Sequence, residues 1–89
     1  MLYRIYTEDK CNLASIVKKY FDSSTLIKAT GYWQGQSEAS TIIDIKTDDD
    51  FTETVIWNPV YLLAEEIKRV NKQQAVMVLR IALHGDWLV

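Results

Sequence analysis

Apolar and polar positions alternate along some stretches of this chain and recur at helical spacing along others, and the switches between the two periods mark its elements. Residues 2–7 alternate and are rich in β-formers, which predicts a first strand. Glu8, Asp9, Lys10 and Asn12 break that pattern and offer capping side chains. Leu13, Ile16, Val17, Tyr20 and Phe21 then fall on one helical stripe, with Lys18 and Lys19 turned to water and residues 22–24 as the stop.

Residues 25–33 read as a second strand, with Ile27, Ala29, Gly31 and Trp33 expected inward and Leu26, Lys28, Thr30 and Tyr32 outward. Residues 34–38 read as a hairpin loop around Gly35, and residues 40–47 as a third strand with Ile43 and Ile45 inward. Residues 51–57 are ambiguous: an extended segment is favoured over an early helical turn. Asn58-Pro59 is a strong helix start, and Val60, Leu63, Ile67 and Val70 mark the buried stripe of a helix reaching about Asn71. Residues 75–83 read as a fourth strand, with Met77, Leu79, Ile81 and Leu83 inward, and residues 87–89 as an additional short strand.

The order strand, helix, strand, strand, helix, strand predicts an α+β fold of the ferredoxin-like βαββαβ type. Its four-stranded antiparallel sheet would carry both helices on one face. On the phases above, the bare face carries Lys28, Thr30, Tyr32, Ile42, Asp44, Val78 and Arg80, joined by Tyr3 or Tyr6.

Composition narrows the picture. A length of 89 residues suits one domain spanning residues 1–89. The apolar share of 48% and charged share of 25% are those of a globular protein. A net charge of −2 lacks the basic excess of a duplex nucleic-acid binder. A single cysteine, Cys11, excludes an intramolecular disulfide and suits a reducing compartment. The opening residues do not form a signal peptide, and no apolar run has a membrane-spanning length, so a cytoplasmic location without membrane contact is expected.

Candidate chemistry is sparse. The segment 31–38 sets two large aromatics at a strand end before a polar loop. As a ligand lip, Tyr32 or Trp33 stacks on a planar group while Gln34, Ser37 and Glu38 make directed hydrogen bonds; Arg80 joins from the bare face. The plain alternative is a hairpin with one ring in the core and one covering the sheet. The alternation favours Tyr32 as the ligand-facing ring. Trp57 and Trp87 beside turns raise the aromatic load further. His84 with Asp86, the thiol of Cys11, and Asp48, Asp49 and Asp50 read better as loop, incidental thiol and solvated turn than as acid–base pair, nucleophile or cation site. No catalytic residue, metal or cofactor is expected.

The segments Tyr6-Thr7-Glu8-Asp9-Lys10 and Gly31-Tyr32-Trp33-Gln34-Gly35, with Glu38 and Ser40, resemble small uncharacterised proteins of Gram-positive bacteria and their phages. Arg4-Ile5-Tyr6-Thr7 is also similar to the first strand of PII-like signalling proteins, whose long nucleotide-binding loop is not evident. The first resemblance implies an accessory role in the host cytoplasm: sequestering a small signalling molecule or binding a host protein. Three functions follow as expectations. The first is a non-enzymatic, oligomeric binder of a planar ligand such as a nucleotide. The second is a protein–protein module that inhibits a host factor. The third is a small dimeric α+β barrel enzyme.

Overall fold

A computed structural model of the chain describes residues 1–48 and 58–82. Its elements are β1 (Leu2–Glu8), α1 (Leu13–Val17), β2 (Thr25–Trp33), β3 (Gln36–Lys46), α2 (Pro59–Asn71) and β4 (Met77–Ile81). The fold is α+β: an open four-stranded antiparallel sheet in the order β2-β3-β1-β4, with two helices. It is compatible with a ferredoxin-like arrangement.

Each helix has a local reason to start where it does. Asn12 Oδ1 accepts from the Ser15 N–H at 3.2 Å at the head of α1. Asn58 Oδ1 accepts from the Val60 and Tyr61 N–H groups at 2.9 and 3.3 Å, and Pro59 takes the first-turn position where no N–H is needed. α2 ends where Lys72 enters the left-handed region (φ 57°) and the Gln73 N–H returns to the Lys68 carbonyl at 2.9 Å. α1 is shorter than its apolar stripe predicts. Its continuation to Phe21 is a set of turns held by Lys19, Tyr20 and Phe21 N–H bonds back to residues 16 and 17.

The core lies between the sheet and the helices. Tyr3 and Ile5 of β1 and Ile43 and Ile45 of β3 pack with Leu13, Ile16 and Val17 of α1 and Val60, Leu63 and Ile67 of α2. Glu66 of α2 accepts from Lys19 Nζ and Tyr20 Oη, both at 2.6 Å, and so ties the two helical segments together. Val70 is 41% exposed and Asn71 takes the buried place expected for it, because the stripe drifts by the end of the helix.

Pairing corrects the phase of both edge strands. Leu26 lies opposite Ile43, so Leu26, Lys28, Thr30 and Tyr32 share the helix-side face. Val78 lies opposite Ile5 and Arg80 opposite Tyr3, which puts them on that face too. Ile27, Ala29, Gly31, Trp33, Met77, Leu79 and Ile81, expected inward, therefore belong to the face the helices leave bare. Ile42 and Asp44 are on the bare face as expected, together with Arg4 and Tyr6. Both edge strands carry apolar residues on both sides, so alternation alone does not choose between the phases. The expected strands over residues 51–57 and 87–89, and Trp57, Leu83, His84, Asp86 and Trp87, lie outside the described residues.

Candidate functional site

The β2–β3 hairpin is longer than its neighbours. β1 follows β3 only to the Glu8–Ser40 pair, with one further bond from the Asp9 N–H to the Ala39 carbonyl. Beyond that point residues 30–33 and 36–39 continue as a two-stranded arm. The arm closes in a two-residue turn, Gln34-Gly35, with both residues at positive φ (50° and 78°). That is a tighter hairpin than the five-residue loop expected, and β3 begins at Gln36 instead of Ser40.

The rings of Tyr32 and Trp33 are 75% and 69% exposed, and strand alternation sends them to opposite faces of the arm. Tyr32 shares the helix-side face with Ser37, its cross-strand partner. Trp33 overhangs the bare face, where a groove of about 580 Å³ runs beneath the arm. Tyr6, Thr7, Glu8 and Lys10 line one side of this groove, Glu38 and Ser40 the next, and residues 72–75 of the α2–β4 connection the other.

A carboxyl pair sits on the groove's floor. Glu8 and Glu38 stand side by side, close enough for each carboxyl to bias the other's proton in opposite directions. Lys10 Nζ lies 2.8 Å from Glu8 Oε2, and this bond, above all else, holds Glu8 below the ordinary carboxylate range. Glu38 is pushed above that range, first by lost hydration and then by the Glu8 carboxylate beside it. Glu38 is thus the partner that keeps the proton longer as pH rises.

The wall behind the pair is held by a buried polar network. Asn71 Nδ2 donates to Thr7 Oγ1 (3.1 Å), to the Glu8 carbonyl (2.8 Å) and to Gln73 Oε1 (2.8 Å). Thr7 Oγ1 donates in turn to Gln73 Oε1 at 2.6 Å. Thr7 and Asn71 are both only 4% exposed. The end of β1 and the end of α2 are therefore stitched together at the groove.

Of the residues singled out from sequence, Trp33 and Glu38 meet in this groove. Tyr32 and Ser37 stand on the opposite face, and Gln34 is in the turn. Arg80 lies far from them in the sheet, on the helix side beside Tyr3, where it lines a second cavity of about 480 Å³ between α2 and β4. Asn58, at the limit of the described residues, also lines that cavity. Tyr6, Glu8, Lys10, Lys72 and Gln73 were missed. The β1–β3 register, which brings residues 8 and 40 together, reveals the first three, and the return of α2 to the end of β1 reveals Lys72 and Gln73.

Elsewhere the chemistry is plain. The Cys11 thiol is raised by burial and by Asp9, the opposite of activation. Among the described residues no group of His, Cys, Asp and Glu could hold a metal ion, and no helix is long and apolar enough to cross a membrane. Comparison of the chain with family models, with curated protein sequences and with solved structures gave no match.

Proposed function

We propose that this chain is a non-enzymatic binding protein whose groove beneath the hairpin arm takes a small planar ligand of the nucleotide class. The observation that carries the reading is Trp33: a large ring, 69% exposed, held by a strand over a groove with a carboxyl pair at its floor. An indole face stacks on a heterocyclic base. The Glu8–Glu38 pair offers acceptors to the N–H edge of such a base, and Lys10 and Lys72 at the same groove suit a phosphate. A volume of about 580 Å³ is in the range of small-molecule sites.

The strand order supports the finer ferredoxin-like assignment. β1 and β2 run parallel with β3 inserted between them, and β3 and β4 run parallel with β1 between them. The likeness of residues 6–10 and 31–40 to small phage and Gram-positive proteins extends the reading to sequestration of a host signalling nucleotide, in the host cytoplasm. Gly31, Trp33, Glu38 and Ser40, all in that segment, share the groove's face.

Isothermal titration with a panel of purine and pyrimidine mono- and dinucleotides tests the proposal. Saturable binding is expected for at least one of them, weakened by Trp33→Ala and by Glu38→Gln but not by Tyr32→Ala. Absence of binding across the panel, or binding indifferent to Trp33→Ala, overturns it.

A further inference from the structure

The face opposite the helices is not a solvated face. Register aligns Ile27, Ile42, Tyr6 and Met77 in one row that crosses all four strands. Leu79 and Ile81 extend the apolar surface along β4, with Leu2 beside Ile81. Ile27 is 45% exposed, Tyr6 37%, Met77 59% and Leu79 39%. A sheet face left to water alternates to polar residues at these positions.

We propose that a second copy of this chain covers this face, its strands packed on the first sheet about a two-fold axis that runs along the Ile27–Met77 row. The inference stands on the sheet face alone and does not rest on the ligand reading.

Area supports a self-contact. The four exposed row and β4 side chains, with their half-buried neighbours, offer on the order of 600 Å² per copy, which reaches the lower bound of specific interfaces at roughly 1,200 Å² in total. An apolar surface of that extent is at the upper end of what a monomer leaves open.

Charge supports the same occupant and selects the axis. Two like faces usually clash electrostatically, because every charge meets the same neighbourhood in its copy. Here Arg4 and Asp44 neutralise each other within one chain, through two bonds of 2.7 and 2.9 Å. A two-fold along the row superposes the cross-strand rank on one side of it onto the rank at equal distance on the other. Arg4, one rank from Tyr6 along β1, then faces Glu8 of the second copy. Lys46, two ranks from Ile42 along β3, faces Glu38 of the second copy, and Asp44 faces Ser40. Each charge meets its opposite or a hydroxyl. Tyr6, Glu8, Glu38 and Ser40 also line the groove, so the second copy covers that wall of it and competes there with any ligand.

Sedimentation equilibrium at tens of micromolar, on the full chain, decides the matter. The wild type is expected at twice the chain mass. Met77→Lys and Ile27→Lys, each made separately, are expected to sediment as monomers with an unchanged far-ultraviolet circular dichroism spectrum, since neither residue belongs to the buried core. Lys46→Glu is expected to weaken the dimer at least tenfold, and Glu38→Lys in the same chain to restore it. A monomeric wild type overturns the proposal, as does a dimer whose dissociation constant ignores both row substitutions. Loss of the dimer in the row variants without rescue by the charge swap overturns the two-fold. Nucleotide titration of the monomeric Ile27→Lys chain, whose substitution lies outside the groove, reads the groove on its own, so either reading can fail without the other.

Discussion

Gly31 lies directly opposite Glu38 across the hairpin, and a Cβ added to Gly31 would stand 2.7 Å from Ser40 Oγ and 3.5 Å from Glu38 Cγ. The missing side chain leaves these two residues their room on the groove face. Gly31→Ala therefore forces the Ser40 hydroxyl to rotate away, and is expected to lower stability by up to about 1 kcal/mol, although alanine ordinarily improves on glycine in a strand. In a Ser40→Ala background the contact is gone and the same change should be neutral or stabilising. Urea melts of the four chains check this.

The two aromatic rings are expected to separate cleanly. Both are exposed, so Trp33→Ala and Tyr32→Ala should each leave stability within about 0.5 kcal/mol of the wild type. Only Trp33→Ala should weaken nucleotide binding, by roughly 1–3 kcal/mol, or about 5- to 150-fold. Thermal melts and calorimetric titrations of both variants measure the two effects side by side.

Stability should fall on both sides of neutrality. Arg4 holds Asp44 below 3.8, and Lys19 with Tyr20 holds Glu66 below 4.5. Depressed carboxyl groups contribute stability that is present above their unfolded values and lost as pH falls through the folded ones. The acid loss should thus begin near those unfolded values and continue below them. Glu38 has the opposite sign and offsets part of it. Tyr20, raised above 10 by Glu66, loses its contribution as pH rises through its folded value. Denaturation midpoints across pH should show a shallower acid limb in Asp44→Asn and in Glu66→Gln, and a shallower alkaline limb in Tyr20→Phe.

The hairpin turn offers a stabilising change. Gln34 occupies the left-handed region at φ 50°, where a γ-extended side chain has no local compensation and asparagine does. Gln34→Asn is expected to raise stability by about 0.5 kcal/mol without altering ligand affinity. A thermal melt beside a binding titration checks both parts.

The physics explains which parts of the molecule were readable beforehand. Asn58-Pro59 announced α2 to the residue, because a cap side chain and a missing N–H act locally. β3 was phased correctly, since Ile43 and Ile45 alternate with Asp44 and Lys46, and polarity separates the faces. β2 and β4 gave no such contrast. Leu26 and Ile27, or Met77, Val78 and Leu79, are apolar in succession, and only hydrogen-bonded register with β3 and β1 decides which of them face the helices. That inversion moved Trp33 from core to groove and Tyr32 from groove to the far side. Glu38 was found from its neighbourhood in the chain. Glu8, Lys10 and Lys72 were not, because they reach Glu38 only through non-local strand pairing and the return of α2.

The stitching of Thr7, Asn71 and Gln73 has a kinetic consequence. These bonds hold two walls of the groove at fixed separation before any ligand arrives, so the ordering entropy of those walls belongs to folding and not to binding. Entry then requires no opening step at those walls. In the monomeric Ile27→Lys chain, association should be a single phase whose observed rate climbs linearly with ligand concentration, and differences in affinity among ligands should reside in how slowly each departs.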